Sequence, residues 1–177
     1  MKTTIEWINN LIEELTDSNV NLKDILLKVK TLAHKINSDK LKKWVSSELE
    51  GYPSGELPSY REFTTEINCK IIQSNGFGKT TIYDNYPLQI YNLHNDYKKV
   101  IGTARMFYSV SELEHMLSQK QSYRVNLPPD LYFIFKDQIQ TNCEIFSIWQ
   151  VISDNSIEGV LSRIKSNLLD FLLQIAD

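Results

Sequence analysis

With 177 residues, 42% of them hydrophobic and 23% charged, the chain is long enough to bury a real core and too apolar to be disordered. A net charge of −3 excludes a global basic field, so any binding to nucleic acid would need a local patch. The opening MKTTIEWINN lacks the apolar core of a signal peptide, and no apolar run approaches the roughly 18 residues of a membrane span, so a cytoplasmic protein with no membrane contact is expected.

The first elements read as a helical layer. Ile5, Ile8, Leu11, Ile12 and Leu15 recur at helical spacing until Thr16–Asn19 interrupts them. Asn21 is a good N-cap for a second helix, whose stripe runs Leu22, Ile25, Leu26, Val29, Leu32, Ala33 and Ile36. Lysines 23, 28, 30 and 35 lie off that stripe as a solvated face or part of a basic docking surface. Leu41, Trp44, Val45 and Leu49 mark a third helix. Gly51 and then Pro53 stop it: the first tolerates positive φ and the second cannot continue a helix.

Sheet follows. In YREFTTEINCKII, residues 60–72, Phe63, Thr65, Ile67, Cys69 and Ile71 alternate with polar residues, the pattern of one half-buried antiparallel strand. Ser74–Gly78 predicts a turn and Lys79–Asp84 the return strand, with Asn85–Asp96 irregular. Lys98–Tyr108 alternates again and predicts another strand. Ser109 with Glu112 is a capping box for a short helix carrying Leu113, Met116 and Leu117 inward. Tyr123–Leu127 predicts a brief strand, and Pro128-Pro129 the start of a helix through Ile139. CEIFSIWQVI, residues 143–152, is apolar on both faces and predicts a central strand covered on both sides. Asn155 and Glu158 suggest the cap of a last helix with the stripe Ile157, Val160, Leu161, Ile164, Leu168, Phe171, Leu172 and Ile175; Leu169 and Leu173 fall outside it. A terminal helix this apolar is either clamped into the core or buried against a second subunit, which makes Leu168, Leu169, Leu172 and Leu173 interface candidates.

The pattern predicts an α+β chain: an N-terminal helical layer packed on a mostly antiparallel sheet, with short inserted helices and a long C-terminal helix. One domain over residues 1–177 is expected, helical to about residue 51, sheet-containing from about 58 to 152, and closed by a helix over about 156–176.

Candidate chemistry is sparse. Gly78-Lys79-Thr80 lacks the earlier glycine and the following helix of a phosphate-binding loop, so a hairpin turn is the better reading. His34, His94 and His115 have no metal-ligand spacing, and Cys69 and Cys143 stand alone as two buried thiols. Acidic nuclease sites converge carboxylates on a metal, usually beside a lysine; Glu62, Glu66 and Lys70 on one strand face are the nearest approach to such a set. Tyrosines are dense in the middle third beside Arg61, Arg105 and Arg124, a combination found at protein interfaces and on base-stacking sheets alike; the acidic chain favours the protein interface.

LIEELTDSNVNLKDILLKVKTLAHKI, KKWVSSELEGYPSGELPSYR, LPPDL and IEGVLSRIKSNLLDFLLQI together resemble the AbiTii domain of bacterial abortive-infection and antiphage defence proteins; residues 68–122 match more loosely. The matching positions are Trp44, Glu48, Gly51, Tyr52, Leu57, Pro58, Tyr60, Arg61 and Asp170. Glu48 with Arg61 reads as an ion pair pinning the turn from helix to sheet, Trp44 as core packing and Pro58 as a turn. The resemblance implies a role in phage defence and carries no catalytic signature and no cofactor. It suggests a sensing or scaffolding module that associates with itself or with a separate defence protein; a small effector acting on nucleic acid is the alternative.

Overall fold

The computed structural model of the chain describes residues 4–17, 20–53, 56–119 and 121–176. In order, the elements are α1 (Thr4–Thr16), α2 (Leu22–Lys35), α3 (Asp39–Glu50), a 3-10 turn (Ser59–Arg61), β1 (Glu62–Thr64), β2 (Ile67–Ser74), β3 (Thr80–Leu88), α4 (Asn95–Gly102), β4 (Thr103–Arg105), α5 (Val110–Ser118), β5 (Tyr123–Asn126), a 3-10 helix (Pro129–Gln138), β6 (Cys143–Ile152) and α6 (Asp154–Ala176). Every strand pairing is antiparallel, and with the long closing helix the fold is α+β as predicted. The chain forms two compact units: a helical one from Met1–Arg61, Met106–Gln121 and Asn155–Asp177, and a sheet unit from Glu62–Arg105 and Ser122–Asp154.

In the helical unit, α2 packs against α1, α3 and α5. Its whole predicted stripe from Leu22 to Ala33 is buried, and Asn21 caps it by accepting from the Lys23 N–H. Three of the four lysines off the stripe have side-chain partners: Lys28 pairs with Glu14 at 2.6 Å, Lys30 with Glu50 at 3.1 Å, and Lys35 lies 4.4 Å from the Trp7 ring. The Ser109–Glu112 capping box forms and starts α5. α6 begins at Asp154, so Asn155 lies inside the helix and does not cap it; the buried stripe is Ile157, Val160, Ile164, Leu168 and Leu172.

The sheet unit departs from the sequence reading at three places. Residues 60–72 do not make one strand. β1 pairs only with β4, whereas β2 lies between β3 and β6 in the four-stranded order β3-β2-β6-β5. The break falls where Thr65 and Glu66 bond in two directions: the Thr65 N–H reaches Gly102 O, its hydroxyl reaches Val151 O, and Glu66 O accepts from the Val151 N–H. The strand predicted over Lys98–Tyr108 begins instead inside a helix, since α4 covers Asn95–Gly102. His94 caps that helix, Ile101 is its buried side chain, and only Thr103–Arg105 remains extended. β3 runs on to Leu88 through a bulge at positive-φ Asn85, in a stretch expected to be irregular. The Gly76–Gly78 turn leads into strand β3, so it is a hairpin and not a phosphate loop.

β6 occupies the interior of the sheet as expected, and Ile148 on it packs into a core with Ile67, Cys69, Ile71, Leu88, Ile101, Leu127 and Phe135. It is covered on both faces only over its second half, because Phe146 is 64% exposed. Gln150 holds the strand to its neighbours by donating to Ile101 O and Thr103 O at 2.7 and 3.0 Å.

Candidate functional site

The most specific stretch of the sequence folds into a buried polar cluster of the helical unit. α3 turns Leu41, Val45 and Glu48 inward, so a glutamate takes the place a third apolar residue would normally fill. Ser38 caps the start of α3 and Gly51 ends it at φ +84. A Cβ on Gly51 would lie 2.9 Å from Phe107 O, so the close approach that lets the Tyr52 N–H bond Phe107 O at 2.8 Å needs glycine. Pro58 O accepts from the Arg61 N–H across a tight turn, which aims Tyr60 and Arg61 back at α3.

Glu48 and Arg61 are both fully buried and form an ion pair. The second carboxylate oxygen of Glu48 accepts from two tyrosines, Tyr52 at 2.6 Å and Tyr60 at 2.7 Å. The Trp44 indole N–H donates to the Tyr60 hydroxyl at 2.7 Å. Arg61 also donates to Met106 O at 3.0 Å and Tyr108 O at 2.7 Å, and its guanidinium lies 4.8 Å from the Tyr52 ring. Trp44, expected in the core, is half-buried, and its indole N–H is held by this hydrogen bond. Burial, followed by the hydrogen bond to Glu48, holds the Tyr52 hydroxyl far above its ordinary pKa. Burial and the Glu48 charge push Tyr60 up to about 12. Both hydroxyls stay protonated and keep donating. Chemically the cluster is a clamp: it fixes the end of α3, the 3-10 turn and the backbone at residues 106–108, and its polar heads are engaged with one another.

The other candidates fall elsewhere. Glu62 pairs with Arg105 at 3.0 Å in the two-stranded sheet, Glu66 sits in the link, and Lys70 pairs with Asp84 at 3.4 Å in the four-stranded sheet. The strand break separates the face on which the three were expected to converge. Among the described residues there is no group of three or more His, Cys, Asp or Glu placed to hold a metal ion. Cys69 is buried, which raises its thiol to about 11, and Cys143 is half-buried; both are free. Leu168 and Leu172 are sealed inside the chain and so are not available to a second one. Leu169 is half-buried, Leu173 is 47% exposed and Asp170 is exposed. The sequence did not single out a groove of about 290 Å³ between α3 and α6, walled by Lys40, Leu41, Trp44, Asn167 and Phe171. Grooves of this kind arise where two helices diverge and leave no periodic signal.

No described helix is long and apolar enough to cross a membrane. Fold and cluster together define an α+β protein whose most specific block is a structural clamp between helix and turn. A family model for AbiTii matches residues 6–177, and the chain belongs to that family, one of abortive-infection antiphage proteins. No curated protein and no solved structure matches it.

Proposed function

We propose that this chain is a non-enzymatic interaction module of a bacterial abortive-infection system, one that associates with itself and leaves cell damage to a separate partner. One observation carries the reading. The polar groups of the family block, Trp44, Glu48, Tyr52, Tyr60 and Arg61, are engaged in holding the fold, while Leu173 stays open on the terminal helix beside half-buried Leu169. Leu169 and Leu173, one turn apart, make a short apolar strip on α6, and that strip is the surface we assign to the contact with another chain.

A phage challenge in cells that rely on this protein tests it. Leu169→Lys with Leu173→Lys should abolish protection while the purified variant keeps its helical signal and unfolding midpoint. Glu66→Gln should protect like wild type. Loss of protection in Glu66→Gln with assembly intact would favour the nucleic-acid effector instead. The exposed Phe146 ring, 5.8 Å from the Lys70 ammonium on the open sheet face, is the observation that keeps that second reading. Against it, Lys70 is already paired with Asp84.

A further inference from the structure

We infer that the groove between α3 and α6 receives the Leu169–Asp170–Leu173 ridge of a second copy of this chain, with Lys40 of one copy meeting Asp170 of the other. The inference rests on the self-association proposed above and assigns it two complementary surfaces.

The groove has the size and lining for side chains. At about 290 Å³ it falls just below the range of roughly 300–1,000 Å³ typical of small-molecule sites, a size that one or two aliphatic side chains fill. Leu41, Trp44 and Phe171 give it apolar walls, and an aromatic-lined pocket with a polar rim is the usual anchor site of a protein contact. The rim is basic: Lys40 lines it, and Lys43 is exposed one turn further along α3. Among the described residues Lys40 and Lys43 have no ion pair within the chain, whereas Lys42 between them is paired with Asp39 at 3.0 Å.

The chain also carries the complementary piece. Leu169 and Leu173 are one turn apart on α6, and exposed Asp170 lies beside them. After Lys165 the helix has no basic residue, and none occurs in its last turn. Among the described residues neither Lys40 nor Asp170 has an ion-pair partner within its own chain. Leu169 and Leu173 project from a different side of α6 than Asn167 and Phe171, because residues two apart on a helix are about 200° apart. The two leucines therefore face away from the groove, with Asp170 on the helix face between them and Asn167, and two copies can each offer a ridge to the other's groove.

Complementary charge reversal tests this. The full chain is measured by light scattering as wild type, Lys40→Glu, Asp170→Lys and an equimolar mixture of the two variants, with circular dichroism confirming the fold of each. The wild type should have at least twice the 20.6 kDa chain mass. Each variant alone should fall to the single-chain mass, because it sets like charges against one another. The mixture should return to the wild-type mass, because the glutamate introduced in one variant then faces the lysine introduced in the other. Variants that keep the wild-type mass, or a mixture that stays monomeric, would overturn the assignment. If Leu169→Lys with Leu173→Lys still dissociates the wild-type assembly in that case, self-association stands and only the groove is wrong. A monomeric wild type ends both readings.

Discussion

The Glu48 carboxylate meets the Arg61 guanidinium with neither side chain exposed to solvent, thirteen residues apart in the chain. Desolvating two charges is costly, and the pair is viable because further hydrogen bonds engage both partners. Glu48 has the two tyrosine hydroxyls, and Arg61 has two backbone carbonyls; within the pair, the Arg61 Nε is the buried atom left without a partner among the described residues. Removing one side leaves the other charge buried. Arg61→Met and Glu48→Gln should each destabilise the chain by about 3–5 kcal/mol, and the double variant should cost clearly less than the sum. Urea unfolding of the four proteins gives the cycle; additive costs would show that the pair is not coupled.

The two tyrosines make the cluster sensitive to base. Tyr60 is raised from an ordinary 10.0 to about 12 in the folded chain, and Tyr52 is raised further. The folded state thus holds these protons more tightly than the unfolded one. Their contribution is fully present below pH 10 and is lost as pH climbs through 12. Urea midpoints from about pH 9 to 12 should fall steeply for wild type. Tyr60→Phe should begin less stable and show a shallower decline, and parallel curves would contradict the linkage.

Gly51 and Gly76 both have positive φ, at +84 and +77, but only Gly51 has backbone within reach of a Cβ. Gly76→Ala carries the left-handed cost alone, about 1–2 kcal/mol. Gly51→Ala adds a clash with Phe107 O and should cost at least about 1 kcal/mol more. Thermal unfolding of the two variants separates the effects.

Gln150 is nearly buried in the middle of the sheet and donates to two carbonyls from one amide nitrogen. Gln150→Leu keeps the bulk but leaves Ile101 O and Thr103 O without that donor. A loss of about 1–3 kcal/mol is expected in urea unfolding, against less than about 0.5 kcal/mol for Gln119→Leu on the surface.

What the sequence revealed was local. The Asn21 cap, the Ser109–Glu112 box and the Gly51 stop depend on neighbours within four residues, and all three form as read. Residues 95–102 misled because Val100, Gly102 and Ala104 alternate while Tyr97, Ile101 and Ala104 also fit a helix face; in so short a run the two periods are not distinguishable. The split at Thr65 is set by carbonyls from Gly102 and Val151, distant in sequence, so no pattern around Thr65 announces it. At the cluster, Glu48 and Arg61 were legible as a pair. The roles of Tyr52, Tyr60 and Trp44 as its hydrogen-bond partners were not, because they depend on how the 3-10 turn folds back on α3.

We propose that this chain works by associating with itself through the open side of its terminal helix. Light scattering of the purified wild type beside Leu169→Lys with Leu173→Lys addresses it directly. Self-association gives the wild type a mass of at least two 20.6 kDa chains and leaves the variant a folded monomer. A wild type that is monomeric at every concentration tested would contradict it.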